Sequence, residues 1–381
     1  MATIPTIDLG PYLKDEGVCI GEAATEGQQK TAAALHECCS AHGFAHITNF
    51  GLTQELEEKV FAASTQLFDL PEDAKNDKLT RITPKTNTGY SPFAFEMLNR
   101  NRPPDLKEAF NVRSPEVHPP DGYFSSCPDA FRGAALELWE VLQKAARAYA
   151  LACAVALDLE TDFFSKTLKR MDLCTLRFLQ CVRDSRTPHF MQPPFPSLTR
   201  FYPCTLVFDL RLLARSYPPC EGPTGDATDL QVPIRVGEHT DFGAFTFLLL
   251  GEGAEGLQIK PVTGSEVGGK FGGEGGEWQA LPPPRPRGES EFVGALVNTG
   301  ALLARWTNDT WKATAHRVVV PTHEVASRHR YSIACFIDPD AEARVAVDPR
   351  FIKEGEQAKY PETTGLDYLL MKLREAQGVD K

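Results

Sequence analysis

The 381-residue chain has no apolar run long enough to cross a membrane, no C-x-x-C pair and no surplus of positive charge. Each absence removes a class. A spanning helix needs about 20 consecutive apolar residues, so none is expected. The ten cysteines lack the spacing of a zinc ribbon or a disulfide framework. Cys38 and Cys39 are adjacent and cannot easily bridge each other, while Cys153 and Cys335 sit in apolar runs, where a thiol acts as a small hydrophobe. A reducing, cytoplasmic setting is the expectation. With 40 Lys and Arg against 51 Asp and Glu the formal net charge is -11. A general nucleic-acid or anionic-membrane binder needs clustered cations and is not expected. A small charged substrate is still allowed, because one arginine in a pocket suffices for it. The opening Met1-Ala2-Thr3-Ile4-Pro5 has neither the basic nor the apolar region of a signal peptide. Val379-Asp380-Lys381 is no peroxisomal or reticulum-retention signal. Oligomeric state cannot be read.

What is present is an ordinary globular composition with ample length for a core. Ile4 to Leu9 alternates like a short strand. A helix is expected from Gly27 to His42, with Gly43 where a left-handed cap belongs. Phe44 to Thr48 reads as a strand, and Thr53 as the N-cap of a helix reaching Phe68. Asp77 to Glu116 gives mixed turn signals. From Phe131 to Leu157, Leu138, Leu142, Ala145, Tyr149, Ala152 and Ala156 step by three and four and draw one apolar stripe. Beyond Leu173 the period changes to about seven short strands, among them Thr175–Leu179, Arg235–Leu250, Ala313–Val320 and Tyr331–Ile337, the pattern of a sandwich or barrel. A short helix is expected near Gly365 to Glu375.

The chemistry gathers around His239-Thr240-Asp241, inside the strand-like run Val236 to Leu250. Residues i and i+2 of a strand share a face, so this imidazole and carboxylate can aim at one point. His316, on a later strand, would complete a 2-His-1-carboxylate set, which leaves metal positions open and marks non-haem Fe(II) oxygenases. H-x-D alone recurs by chance; a later histidine and an Arg-x-Ser strand make the signal specific. Arg330 and Ser332 form a second i, i+2 pair. A guanidinium grips a carboxylate through two parallel bonds. Near a metal, the pair suits the far carboxylate of a dicarboxylic acid whose other end chelates iron. Arg328 and Arg344 are read as solvated, and His36, His42, His46, His118, His189, His323 and His329 as surface or satisfied core residues.

These residues resemble the isopenicillin N synthase-like branch of the Fe(II)/2-oxoglutarate-dependent dioxygenases. The likeness extends to Ile4-Pro5-Thr6-Ile7-Asp8, to Gly43 through Gly51, to Asp105-Leu106-Lys107-Glu108, to Asn298-Thr299-Gly300 with Trp306-Thr307-Asn308, and to His316-Arg317-Val318. The resemblance implies an α+β fold with a double-stranded β-helix (a distorted jelly roll) flanked by helices. It implies Fe(II) held by His239, Asp241 and His316. Arg330, Ser332 and Tyr217, which precedes Pro218-Pro219, would bind 2-oxoglutarate. The implied reaction uses O2 to oxidise, by hydroxylation, a small organic molecule, releasing succinate and CO2. One alternative is an oxidase of the isopenicillin N synthase type that needs no 2-oxoglutarate; another is a non-catalytic protein that binds a small carboxylate.

The expected organisation is an N-terminal region over 1–120, a scaffold helix within 121–170, the dioxygenase domain over 171–340 and a helical tail over 341–381. Two inserted segments interrupt the third part. Residues 264–277 are glycine-rich with charges and read as a loop. Residues 182–216 are proline-broken, carry five arginines against two aspartates in an acidic chain, and split the strand that the resemblance runs directly into Tyr217-Pro218-Pro219. They read as an extraneous insertion, with a substrate lid as the competing reading. The identity of the substrate is not legible.

Overall fold

The amphipathic stripes of the sequence become helices that cover one face of a large sheet. The computed structural model describes residues 4–13, 23–83, 86–96, 104–181, 234–261, 277–281, 294–320, 322, 325 and 328–377. Helix α1 (Glu26–Ala41) starts in a capping box: the Thr25 hydroxyl accepts the Gln28 N–H, and Gln28 Oε1 accepts the Thr25 N–H. Gly43 follows its end with φ of 69° and donates its N–H to the Cys38 carbonyl. Helix α2 (Gln54–Phe68) is capped by the Thr53 hydroxyl, with Glu55 and Glu57 in the first turn to meet the positive end of its dipole. The short α3 (Glu72–Lys78) and α4 (Pro120–Tyr123) precede α5 (Asp129–Ala156), the long scaffold helix that the apolar stripe predicts. One more, α6 (Ala301–Trp306), lies between strands, and a helix over Gly365–Gln377 comes near the end.

The strands are β1 (Thr6–Asp8), β2 (Phe44–Thr48), β3 (Gly89–Ser91), β4 (Lys107–Arg113), β5 (Thr175–Cys181), β6 (Ile234–His239), β7 (Phe245–Leu250), β8 (Leu257–Lys260), β9 (Gln279–Ala280), β10 (Gly294–Thr299), β11 (Ala315–Val319), β12 (Arg330–Ile337), β13 (Arg344–Val345) and β14 (Thr363–Thr364). An eight-stranded sheet has the order β1-β2-β10-β7-β12-β5-β4-β3, a four-stranded sheet the order β6-β11-β8-β9, and β13 pairs with β14. Helices and sheets together make an α+β protein.

Period-two alternation gives the large sheet two faces. Its outer face packs on the helices: Phe131 of α5 meets Phe178 edge-on at 4.8 Å, and Tyr149 lies 4.7 Å from Phe245. Each fully buried Phe or Leu contributes about 1.5–3 kcal/mol, so this layer is a large part of what stabilises the sheet. The inner face meets the small sheet, where Phe44, Cys181 and Leu296 join Val236, Leu257, Ile259 and Val318 in one cluster. Beside it on the inner face lies a small apolar patch of Ala109, Leu179 and Ala334, flanked by Leu248 and Phe336. Strands from both ends of the chain share this sheet, since β2 pairs with β10 and β4 with β5.

Two local expectations change. The run Val236 to Leu250 is two strands, β6 and β7, separated by a turn. The mixed stretch Asp77 to Glu116 contains β3 and the fully buried β4, whose charged residues hid it; Lys107, Glu108 and Arg113 are buried there with internal partners. Arg344 is exposed, as its solvated reading expects, and forks onto Glu362 at the surface. Residues 182–216, Tyr217, residues 264–276, His189 and His323 lie outside the described residues.

Candidate metal centre

Strand β6 ends at His239, so Asp241 is not a same-face neighbour on that strand; it sits in the turn that follows. The turn is docked on the start of α6. Ala301 N–H donates to the Asp241 carbonyl, Leu302 N–H to that of Phe242, and Gly300 N–H to that of Ala244. Gly300 has to be glycine, because a Cβ there would collide with the Gly243 carbonyl. The third group arrives by pairing: His316 of β11 stands directly opposite His239 of β6, with ring centroids 4.3 Å apart.

The nitrogen Nε2 of His239 is 3.6 Å from Oδ1 of Asp241, and Nε2 of His316 is 3.7 Å from the same oxygen. The three ligand atoms lie within 4.8 Å of one another, close enough to converge on one ion. The remaining polar atoms are already engaged. His239 Nδ1 is 2.7 Å from the Gly237 carbonyl, and His316 Nδ1 is 3.2 Å from that of Thr314. Each carbonyl can only accept, so Nδ1 carries the proton and the Nε2 lone pair faces the centre. Oδ2 of Asp241 accepts the Thr246 hydroxyl at 2.6 Å and the Asn298 amide at 2.7 Å, leaving Oδ1 to the centre. Burial alone would raise the Asp241 carboxyl, but His316, His239 and the Asn298 bond outweigh it and hold its pKa well below the usual range. Burial, reinforced by His239, brings the His316 imidazole down to about 4, so it is neutral and ready to bind at pH 7. Two imidazoles and one carboxylate, each oriented from behind, fit a divalent first-row ion.

Arg330 and Ser332 share the inner face of β12, as the i, i+2 spacing requires. Arg330 is 2 % exposed. Its Nε donates to the Glu255 carbonyl at 3.2 Å and its Nη1 to Ser332 Oγ at 3.1 Å. Its Nη2 is buried and has no partner among the described residues. Burial, with Arg235 nearby, lowers its pKa against an opposing pull from Cys181, and among the described residues no carboxylate pairs with it. A buried, unmatched guanidinium calls for an anion.

Sequence reasoning did not assign Thr246 or Asn298. The available signal was a polar residue at an inward position of an apolar strand, as in Phe245-Thr246-Phe247, since buried polar groups need partners. Of the other histidines, His36 accepts the Trp311 indole N–H at 3.4 Å, and burial lowers the pKa of His42, His46 and His118. Among the described residues the one such cluster is His239, Asp241 and His316.

Two family models match the chain. The model described as the N-terminal region of non-haem dioxygenases in morphine synthesis covers residues 4–130, and that of the 2OG-Fe(II) oxygenase superfamily covers residues 208–339. The second match contains all three candidate ligands, Arg330, Ser332 and Tyr217. The chain belongs to the Fe(II)/2-oxoglutarate-dependent dioxygenases of the isopenicillin N synthase-like clan. It is an oxidoreductase that uses Fe(II), 2-oxoglutarate and O2. It is similar to the 2-oxoglutarate-Fe(II) type oxidoreductase hxnY of Emericella nidulans, 26 % identical over 390 residues, covering 98 % of this chain and 90 % of that one. The 2-oxoglutarate-dependent dioxygenase tropC of Talaromyces stipitatus is 25 % identical over 350 residues, with 90 % and 88 % covered. Among solved structures, a full-length Neurospora crassa protein in complex with alpha-KG and thymine superposes with a TM-score of 0.69 at 23 % identity, covering 99 % and 97 % of the two chains. The rice dioxygenase for auxin oxidation gives 0.64 at 22 % identity, with 99 % and 96 % covered. At these identities the structures speak for the fold. Residues 208–216, counted with the inserted segment above, fall inside the second match, and 131–207 lie between the two.

Proposed function

We propose that this dioxygenase hydroxylates a small organic molecule in the space between its two facing sheets, with His239, Asp241 and His316 holding Fe(II). The same reading takes the sheets as the walls of a double-stranded β-helix, a distorted jelly roll. Arg330 and Ser332 take the far carboxylate of 2-oxoglutarate. The observation that carries this is the unmatched Nη2 of Arg330: a carboxylate would accept from it, while the Ser332 hydroxyl is held alongside. Tyr217 is assigned to the same carboxylate on the resemblance alone.

Iron with 2-oxoglutarate supplies the oxidising power from O2, with succinate and CO2 as the cosubstrate's products. The chain's residues orient and exclude. Thr246 and Asn298 keep Asp241 turned so that one oxygen faces the ion. The Gly237 and Thr314 carbonyls keep both imidazoles in one tautomer. The apolar patch of Ala109, Leu179, Ala334, Leu248 and Phe336 gives the space a water-poor floor, which supports a substrate with an apolar body. Next to it Arg177 pairs with Glu96, whose carboxyl is brought down to about 2 because Arg177 and Lys107 outweigh its burial. That pair keeps 14 % and 23 % of its side chains accessible although surrounded by protein, and supports a polar wall beside the apolar floor. Substrates of small-molecule size are also supported by the thymine bound to the Neurospora crassa protein. A reducing, cytoplasmic compartment is part of the proposal, supported by seven cysteines that serve as free, buried core residues.

The test is an anaerobic titration of Fe(II)-loaded protein with 2-oxoglutarate, watched for a metal-to-ligand charge-transfer band, and then a substrate screen scored by succinate. A band that saturates, and succinate formed one for one with oxidised product, is expected. Turnover of any substrate without 2-oxoglutarate would instead establish the oxidase alternative.

A further inference from the structure

The two ends of Asp105-Leu106-Lys107-Glu108 face opposite ways. Glu108 faces the helices, where both its oxygens take Lys75 Nζ at 2.8 Å and one also accepts the Tyr90 hydroxyl. Asp105 and Lys107 face the small sheet. Asp105 is 2 % exposed. Its Oδ1 accepts the Gly237 N–H at 2.9 Å, and its Oδ2 accepts Lys107 Nζ at 2.9 Å. Gly237 stands two residues before His239, and its own carbonyl takes the His239 Nδ1 proton.

The register explains why a side chain is needed at this point. Between the pairs His316–His239 and Val318–Val236, strand β6 places two residues, Gly237 and Glu238, opposite the single Arg317. That is a β-bulge, which disrupts the ladder locally and re-aims the neighbouring side chain. A buried N–H at such a point needs an acceptor from elsewhere. Asp105, from a segment 132 residues away in sequence, provides it.

We propose that Asp105 is a positioning residue for His239: its carboxylate pins the bulged Gly237, and the Gly237 carbonyl then sets the direction and tautomer of the imidazole. Lys107 fixes the second oxygen of Asp105 and lies 3.6 Å from Glu96, which pairs with Arg177. Cations and anions alternate along this row, so no buried charge in it stands alone. The inference rests on His239 being a metal ligand.

Co(II), a redox-stable substitute for Fe(II), is titrated into metal-free protein and followed by visible absorption, with melting measured in parallel. Asp105→Ala should weaken Co(II) binding by about 10–100-fold, the usual loss when a group behind a metal ligand is removed. Asp105→Asn offers one oxygen to two donors. It keeps the Lys107 ammonium, loses the Gly237 N–H and weakens binding by about tenfold. In the double variant Asp105→Asn with Lys107→Met, that oxygen is free to turn to Gly237, and affinity should recover towards the parent. Glu108→Gln should lower the melting temperature and leave Co(II) affinity unchanged, which separates stability from positioning. Should the alanine variant fail to fold, the asparagine pair decides. Parent-like affinity in Asp105→Asn, or no recovery in the double variant, overturns the proposal. A parent that binds no Co(II) overturns the metal reading beneath it instead.

Discussion

Asn298 donates its side-chain amide to Oδ2 of Asp241 at 2.7 Å, reaching from β10 of the large sheet to the turn after β6 of the small one. The same oxygen takes the Thr246 hydroxyl from β7. The carboxylate is therefore clamped from the large sheet while its other oxygen faces His239 and His316. The clamp also ties the metal centre to the sheet that packs against the helices.

Removing the clamp should loosen the metal without removing its ligands. For Asn298→Ala, Fe(II) affinity is expected to fall by about 10–100-fold. Thr246→Val, which is close in shape, should act in the same direction. Competition against a chelator of known affinity measures both. Unchanged affinity in both variants would mean that Asp241 is oriented by its turn alone.

The ligands themselves should behave differently. Alanine at His239, Asp241 or His316 should abolish stoichiometric iron while circular dichroism stays native, because the three point at a shared centre and not into the apolar core. Metal content of the purified variants is the readout. Full iron retained by any two of them would sink the assignment.

Arg330 gives a prediction that separates cosubstrate from metal. Arg330→Lys keeps a charge but loses the fork, so 2-oxoglutarate should bind about 1.5–3 kcal/mol more weakly, the value of one charged hydrogen bond. Iron content should not change. The charge-transfer titration gives the constant directly; a parent-like value would remove Arg330 from the cosubstrate site.

Much of the candidate site was legible because a metal-ligand set and a carboxylate fork would each demand particular side chains at short spacing. His239, Asp241, His316, Arg330 and Ser332 all stand out in this way. The expected geometry was only half right. Arg330 and Ser332 do share a strand face, whereas Asp241 is brought to His239 by a turn held against α6. Periodicity reports local direction and cannot show where a strand ends on a tertiary contact. β4 was illegible for the opposite reason. Lys-Glu-Ala-Phe-Asn-Val-Arg reads as a solvated segment, yet its charges meet buried partners: Lys75 for Glu108 and the Asp172 carbonyl for Arg113 come from other parts of the chain, and the neighbouring Asp105 takes Lys107. Such pairing is a property of the assembled fold. The Gly43 end of α1 and the Thr53 start of α2 were legible because the capping residues lie next to what they cap.

The Lys75–Glu108 pair allows a stability test far from the iron. The side chains are 4 % and 1 % exposed. Lys75→Met leaves a buried carboxylate without its cation and should cost about 3–5 kcal/mol. Adding Glu108→Gln removes the stranded charge and should return a good part of that loss. Denaturant midpoints of the two single variants and the double variant measure the coupling.

A buried carboxyl at the end of β12 should make stability depend on pH. Burial pushes Asp338 up to about 7, reinforced by Asp241 and opposed by Arg113. A raised pKa means that the folded protein holds this proton more tightly than the unfolded chain, where an ordinary aspartate sits near 3.9. The contribution to stability is then fully present below the unfolded pKa. It is lost as pH rises from about 4 through about 7, by up to about 1.4 kcal/mol per unit. Asp338→Asn carries no such proton. Relative to the parent, the variant should gain stability across this window and hold a constant advantage above it. Melting of both proteins without metal, at intervals from pH 5 to pH 8.5, measures the difference. A difference that is flat with pH would mean that Arg113 compensates the Asp338 charge fully in the fold.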